Sequence, residues 1–352
     1  MLLTKTRLDE VIERVEDDQE GKADYILPIN NLHVDPFKNR VEFVKTTEVE
    51  GPVARDIPFE LTDWAEGQFL SRLGMPAQYM RKVREEDPKL YADHVNLWAG
   101  KAEGKIRLRA RIRGEVGVVR GVVSDKYSVL DNDAVIDTLT KILQGRENDY
   151  QIETFFMDDR RLHLRLTYVD LTKPLGRLPG GKFDYMRIGT DIVNSEVGAS
   201  SFNITKMIWR LICDNGLRGW DKEDSFVQRH IHLRPIEFQG RVADAMVNQL
   251  QAGQEFLAEL ERTQEQQIEN PFSVIGKLAQ DGGFSRSFAD KAKESFEGDD
   301  TAYGVINSFT RAARDLPNER RLEAEKFAGK LTRFTPSRWE KLDSIDLEEE
   351  AV

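Results

Sequence analysis

Apolar and basic residues alternate along residues 105–113, KIRLRARIR. Successive side chains of a β-strand point to opposite faces, so this alternation predicts a strand with one apolar face and one basic face. The basic face carries Lys105, Arg107, Arg109, Arg111 and Arg113. Residues 116–124 are predicted to form a second strand, and a two-residue loop between the strands sets Arg120 opposite Arg109.

The same alternation returns at residues 161–166, where Arg161, His163 and Arg165 alternate with three leucines. We expect a second hairpin here, with its turn at residues 157–159. Two strands with the same pattern indicate one antiparallel sheet that exposes a basic face.

Helical spacing of apolar residues predicts several helices. Residues 62–74 form one, capped by Thr62. Residues 202–219 are predicted to form another, with Lys206 and Arg210 outside its apolar stripe. A long helix is predicted from Pro235, and its heptad-like seam, which includes Gly253, packs either within the domain or against another subunit.

These elements predict an α+β fold, in which a central antiparallel sheet with packed helices (a β-β-β-α-like core) precedes a helical C-terminal region. The predicted regions are an N-terminal α+β segment (1–100), a basic-faced sheet core (101–234), a helical region (235–335) and a disordered acidic tail (336–352).

Charge is unevenly distributed along the chain. The net charge of −11 taken alone argues against a nucleic-acid partner. Residues 101–234, however, hold 23 basic and 19 acidic side chains, a net of +4, and the rest of the chain carries −15. The acidic tail is disordered in the simplest interpretation; alternatively it competes with nucleic acid for a basic site or recruits a basic partner.

Three further features bear on where the protein acts. No apolar run approaches the roughly 18 to 20 residues that cross a bilayer, and the N-terminus does not resemble a signal peptide. The single cysteine, Cys213, excludes an internal disulfide, and a buried small side chain is its simplest role. We therefore expect a cytoplasmic protein.

The basic strands are the best candidate for a binding site. Residues on one strand face are about 6.6–6.8 Å apart, close to the phosphate spacing of an extended single strand. Nearby aromatic residues could stack on bases. These are Tyr127, Phe155, Phe156, Tyr185 and Trp209. The alternative is an ordinary polar sheet face whose arginines pair with carboxylates of a neighbouring strand or subunit.

Other motifs are weaker. GRLPGGKF lacks the Ser or Thr and the following helix of a phosphate-binding loop. His230 and His232 share a strand face without a third ligand, and Asp191, Glu196 and Asp214 are more typical of turns and caps than of a metal-dependent nuclease. We predict no cofactor, no metal and no catalytic residue.

Several segments carry a resemblance. SDKYSVLDN, NSEVG and the ending CDNG are its most specific motifs, and the similarity extends from about residue 55 to 335. The chain resembles the phage- and plasmid-encoded proteins of domain-of-unknown-function family nine-three-two, which implies a mobile-element protein without an established activity. Its arrangement of strands and helix is also similar to the core of the Rad-fifty-two-like single-strand annealing proteins, which implies a ring-forming protein with a basic DNA groove.

Together these features predict a non-enzymatic single-stranded DNA-binding or annealing protein of a phage or plasmid, acting in recombination or replication. It is expected to be a homo-oligomer, and its acidic tail to contact a host or phage protein. The alternative is an oligomeric interaction factor that binds a host protein without nucleic acid. The predicted DNA-binding residues are Lys105, Arg107, Arg109, Arg111, Arg113, Arg120, Arg161, His163, Arg165, Lys206 and Arg210.

Overall fold

The computed structural model describes residues 2–35, 40–43, 50–51, 58–146, 148–177, 181–211, 215–219, 225–230 and 235–344. Its strands are β1 (Leu2–Thr6), β2 (Lys22–Pro28), β3 (Leu32–Asp35), β4 (Arg40–Phe43), β5 (Phe59–Leu61), β6 (Lys105–Arg113), β7 (Val116–Ser124), β8 (Tyr150–Met157), β9 (Leu162–Arg177), β10 (Phe183–Asn194), β11 (Phe202–Arg210), β12 (Asn215–Arg218) and β13 (Ser225–Gln228). Its helices are α1 (Leu8–Gln19), α2 (Asp63–Arg72), α3 (Ala77–Glu86), α4 (Pro88–Ala99), α5 (Asn132–Leu143), α6 (Pro235–Arg262), α7 (Pro271–Asp281), α8 (Arg286–Glu294), α9 (Ala302–Ala312), α10 (Asn318–Leu331) and α11 (Pro336–Asp343). The predicted α+β class with a helical C-terminal region is confirmed.

The strands form two sheets. The first sheet has the order β2-β6-β7-β5-β4-β3, and it is antiparallel except where β5 pairs with β7. Its apolar face, with Leu108 and Val122, packs against Phe69 of α2, Met80 of α3 and Val95 of α4. Because β6 pairs with β2, the hairpin of residues 105–124 belongs with the N-terminal strands, and the predicted boundary at residue 101 is wrong.

The second sheet has the order β1-β8-β9-β10-β11-β12, and β13 also pairs with β11. One part of its apolar surface packs against α1, α5 and the start of α6, through residues such as Val15, Leu139 and Met246. Another part joins the core of the C-terminal helices through Ile188 and Ile208. The two sheets meet at the turn that follows β10.

The long helix α6 packs within the domain, on β10 and β11. Met246 and Leu257 of its seam are buried there, and a Cβ at Gly253 would lie 2.4 Å from Ile188 Cγ2. Glycine is therefore required for this close approach. Of the two interpretations of the seam, packing inside the domain is the one observed for this chain.

The prediction of a helix over residues 202–219 is wrong, because this segment contains β11 and β12. Both faces of β11 are buried between neighbouring layers, so its apolar residues do not alternate. A strand buried on both faces cannot be distinguished from a buried helix by periodicity alone. The β-branched and aromatic residues of the segment, such as Ile204, Thr205 and Trp209, were the better guide.

Two other predictions need correction. The β6–β7 register follows the two-residue loop as expected at Arg113 and Arg111, but a bulge pairs Arg109 with Gly121 and leaves Arg120 as the extra residue. At the C-terminus the tail predicted from residue 336 instead begins with α11, whose Trp339 is buried. Residues 345–352 lie outside the described residues, as do Cys213, Asp214 and His232.

Among the helices described, none combines the length and the apolar character needed to cross a membrane.

Candidate functional site

The basic face of β6 is paired with carboxylates from α1 and β2. Arg107 Nη1 lies 3.2 Å from Asp24 Oδ2, and Arg109 Nε donates to Asp24 Oδ1 at 2.8 Å. Arg111 Nη2 donates to Asp18 Oδ1 at 2.5 Å and to the Asp18 carbonyl at 2.7 Å. Arg107 and Arg111 are partly buried, and only 2% of Arg109 is exposed.

Arg109 also belongs to a buried ionic network at the junction of the two sheets. It pairs with Asp131 and donates to the Glu196 carbonyl at 2.9 Å. The Glu196 carboxylate in turn pairs with Arg120 at 2.7 Å and with Lys22 at 2.8 Å. Burial raises the pKa of Glu196, but Arg120 and Lys22 outweigh it and lower this pKa to about 2. Glu196 is therefore ionised at neutral pH. Its ion pairs with Arg120 and Lys22 hold the loop after β10 against the first sheet.

The basic face of β9 is neutralised in the same way. Arg165, which is 2% exposed, lies 3.3 Å from Asp191 and donates through Nη1 to Glu325 of α10 at 3.0 Å. His163 contacts Asp191, and burial lowers the pKa of His163 despite this carboxylate. Arg218 lies 2.5 Å from Asp191, and although burial raises the pKa of Asp191, Arg218 and His163 hold it well below its usual range.

Two predicted cations on β11 also point into the interior. Lys206 is buried, with its Nζ 5.2 Å from the centre of the Phe256 ring. Arg210 donates to Asp184 at 2.7 Å and to Glu297 at 3.1 Å. Neither side chain offers a surface for a ligand.

The remaining predicted residues lie nearer to solvent. Lys105 is paired with Glu50 at 2.7 Å, and its side chain is 49% exposed. Arg161 pairs with Glu319 at 3.0 Å. Arg113 ends β6, and its side chain is outside the described residues.

The expected accessible track of guanidinium groups is therefore wrong for Arg107, Arg109, Arg111 and Arg165. The structure instead shows the alternative interpretation, in which these arginines pair with carboxylates of the same chain. The partners come from distant segments, and Arg165 and Glu325 are 160 residues apart. The sequence of one strand does not indicate partners that lie so far away along the chain.

The weaker candidates do not form a metal site among the described residues, where no group of three possible ligands occurs. Asp191 and Glu196 are fully engaged by the cations named above. Asp214, the third member of the nuclease hypothesis, lies outside the described residues.

A cleft of about 1020 Å³ opens beside these networks, at the junction of the two sheets. Residues of α2 spaced by four, Trp64, Gln68 and Arg72, form one wall. The end of β7 and the loop after it form the opposite wall, and the β8–β9 turn contributes Arg160. Gly198, His230 and Arg81 of α3, which is paired with Glu66 at 3.0 Å, complete the lining.

Hydrogen bonds fix the wall made by α2. Trp64 Nε1 donates to the Val197 carbonyl at 3.0 Å, and Gln68 Nε2 donates to the same carbonyl at 2.8 Å. Gln68 Oε1 accepts from the Val122 N–H at 2.8 Å. Thr62 begins this helix by accepting from the Ala65 N–H, so the expected cap is confirmed. The wall is thus tied to both sheets.

Two of the three most specific motifs noted in the sequence, SDKYSVLDN and NSEVG, meet beneath the cleft. Tyr127 of SDKYSVLDN donates through its hydroxyl to the Ser195 carbonyl of NSEVG at 2.9 Å. Glu196 accepts from the Asn132 N–H at 2.8 Å, at the first turn of α5. Asp131 holds the N-cap position without a side-chain cap, because it pairs with Arg109 instead.

The cleft carries exposed cations that the described carboxylates compensate weakly or not at all. Lys126 is exposed at its edge, and no described carboxylate pairs with it. Arg160 is 45% exposed, and its ion pair with Glu319 is long, at 4.0 Å. Arg72 is also exposed and donates weakly, at 3.4 Å, to the Val122 carbonyl. Among the described lining residues, Asp63 is the only carboxylate.

Aromatic rings lie between these cations. The Arg160 guanidinium is 5.6 Å from the centre of the Trp64 ring. Tyr127 and His230 are stacked at 5.0 Å with an angle of 12° between their planes. Burial lowers the pKa of His230 to about 4, so the ring is neutral at pH 7. At least one of its ring nitrogens has no hydrogen-bond partner in the described part of the chain.

The sequence interpretation included Tyr127 among its aromatic candidates but missed Trp64, Arg72, Lys126 and Arg160. The spacing of Trp64 and Arg72 on the predicted helix places them on one face. This spacing could have indicated that the two side chains share a site. Of the other aromatic candidates, Phe155 and Trp209 are buried in the core, so neither ring is accessible to a base. Nothing in the sequence indicated that the α2 face would meet the β8–β9 turn.

The fold and the cleft define an α+β protein of two sheets, with a cationic and aromatic cleft at their junction. A family model described as "Domain of unknown function (DUF932)" matches residues 119–314, and the chain belongs to this family. The matched range includes both motifs beneath the cleft but not α2. No curated protein matches the chain, and no solved structure does.

Proposed function

We propose that this protein binds single-stranded nucleic acid in the cleft at the junction of its two sheets. The observation that carries the proposal is the combination of exposed, weakly compensated cations with aromatic rings in one concave site. Sequence-independent single-strand binders combine these same two elements, cations for phosphates and rings for bases.

A single strand fits this site better than a duplex. The rings of Trp64 and Tyr127 lie inside the cleft, where only unpaired bases can reach them. Lys126 and Arg160 stand at the edge and the turn, where phosphates of the same strand would pass. Although the net charge is −11, cations outnumber the one carboxylate, Asp63, among the described lining residues, and this excess favours an anionic ligand.

The role that follows is non-enzymatic. Annealing and strand protection require that phosphates are neutralised and bases are bound. Neither process requires a catalytic residue. We therefore propose a phage or plasmid protein that acts in recombination or replication in the cytoplasm of the host, as a homo-oligomer. The annealing role that the resemblance to Rad-fifty-two-like proteins implies is part of this proposal.

Fluorescence anisotropy with a labelled oligothymidylate tests the proposal. The wild-type protein is expected to bind the single strand more tightly than a duplex of equal length. The double variant Lys126→Ala/Arg160→Ala is expected to bind about tenfold more weakly, a loss of about 1.4 kcal/mol. Lys105→Ala, which removes an exposed cation outside the cleft, is the matched control. The proposal fails if the wild-type protein does not bind, or if the double variant binds as the wild type does.

A second candidate, a protein-interaction factor, has one observation in its favour. Leu90, Leu97 and Trp98 lie on α4 and are about half exposed, at 53%, 54% and 46%. Exposed apolar groups clustered on one helix are typical of a contact surface. A pull-down from nuclease-treated host lysate, repeated with Leu97→Asp, tests this role.

A further inference from the structure

A second cleft lies beside the first, and the ridge between them is made of the β8–β9 turn and the loop after β10. It measures about 460 Å³, and its lining includes Arg161, Ser200, Ser201 and Lys326. The first cleft is lined by Arg160 and Gly198, which belong to the same turn and the same loop. The two clefts therefore share the β8–β9 turn and the loop after β10 as a common wall.

The ridge is a fixed part of the structure. Asp158 Oδ1 accepts from the N–H groups of Arg160 and Arg161, at 2.8 Å each, so the turn is held from within. Arg161 Nη2 donates to the Ala199 carbonyl at 3.3 Å and joins the turn to the loop. Arg160 lines the first cleft and Arg161 the second, and both guanidinium groups approach Glu319 Oε1, at 4.0 Å and 3.0 Å.

The second cleft also has an uncompensated cation. Lys326 is exposed on α10, and no carboxylate pairs with it within the described residues. The two carboxylates of the cleft are already paired, Glu319 with Arg161 of the same cleft at 3.0 Å and Glu323 with Arg320 at 2.8 Å. The ligand that fits both clefts is an anion long enough to cross the ridge.

We propose that the second cleft extends the binding site, so that the ligand is a polynucleotide which crosses the ridge and not a mononucleotide or dinucleotide. This inference rests on the proposed function and adds the class of ligand and its path. The first cleft alone is at the upper end of the roughly 300–1,000 Å³ of small-ligand sites, so a short oligonucleotide fills it without reaching Lys326.

Affinity as a function of oligonucleotide length tests the path. Oligothymidylates of about 3, 6 and 12 nucleotides run from below the roughly 4–16-nucleotide site sizes of single-strand domains to well within them. Lys326→Ala is expected to weaken binding of the 12-mer about three- to tenfold and to leave the trimer unchanged. Lys126→Ala, in the first cleft, is expected to weaken both. Lys89→Ala, an exposed cation on α4, is the matched control.

A second variant, Ser201→Trp, fills the second cleft and is expected to remove the gain from trimer to 12-mer, with folding checked by circular dichroism. The inference is overturned if the 12-mer binds equally to wild type, Lys326→Ala and Ser201→Trp while Lys126→Ala weakens it. In that case the first cleft binds alone and the proposed function stands. Absence of binding at every length overturns the proposed function, and the extended path with it.

Discussion

The arginine-rich face of β6 and the cleft beside α2 differ in how their cations are used. Arg107, Arg109 and Arg111 form the denser array, yet each is paired with a carboxylate and withdrawn from solvent. The cleft has fewer cations, but Lys126 and Arg160 remain exposed and largely uncompensated. The comparison teaches that compensation and burial, and not the number of cations, distinguish a binding surface from a structural interface.

The physical reason lies in desolvation. A buried guanidinium needs a carboxylate partner, since an unpaired buried charge is strongly destabilising. A surface that binds phosphates needs the reverse, cations whose partner is the ligand. The first region therefore contributes to stability and the second is free to contribute to binding, which leads to four predictions in order of decreasing effect.

The largest effect is expected for Arg109→Ala. It leaves Asp24 and Asp131 without their buried partner, so the free energy of unfolding should fall by about 3–5 kcal/mol. Urea unfolding measures this. Lys126→Ala is the control from the cleft and should change stability by less than about 0.5 kcal/mol. An Arg109→Ala protein as stable as the wild type would show that β6 is not a structural interface.

Acid should weaken the same network through Glu196. Its pKa is lowered from 4.5 to about 2 in the folded protein, so its contribution is fully present above pH 4.5 and is lost as pH falls towards 2. The shift corresponds to roughly 3 kcal/mol. Urea unfolding between pH 7 and pH 2 measures it. In Glu196→Gln this part of the pH dependence should disappear, and an unchanged profile would contradict the assignment.

Trp64→Ala is expected to have an intermediate effect on binding, with some loss of stability because the hydrogen bond from Trp64 Nε1 to the Val197 carbonyl is also removed. Loss of a stacking ring weakens single-strand binding by about 1–3 kcal/mol. Anisotropy titration measures the affinity, and Trp98→Ala, an exposed tryptophan on α4, is the matched control. Equal affinities for the two variants would remove Trp64 from the site.

The smallest effect concerns salt. Each phosphate contact on a single strand contributes about 0.7 to the slope of log affinity against log salt. Lys126→Ala should therefore reduce the slope by about 0.7, whereas Lys105→Ala, whose ammonium is paired with Glu50, should leave it unchanged. Titrations at several salt concentrations give both slopes, and the reverse result would favour β6 as the contact surface.

The sequence predicted the local elements well where one face is buried and the other is not. Both hairpins and the Thr62 cap followed from alternation and turn residues. It failed at β11, where burial on both faces removes the alternation, and at the boundary near residue 101, which depends on the pairing of β2 with β6. The site was missed for a related reason, because Trp64, Lys126 and Arg160 meet only through tertiary packing.

Photocrosslinking tests the central claim most directly. A single-stranded oligonucleotide that carries 5-iododeoxyuridine is irradiated with the wild-type protein, and the crosslinked peptides are identified by mass spectrometry. The proposed site predicts crosslinks in the α2 peptide that contains Trp64 or in the peptide that contains Tyr127. Crosslinks confined to residues 105–113 would contradict it and return the binding surface to the arginines of β6.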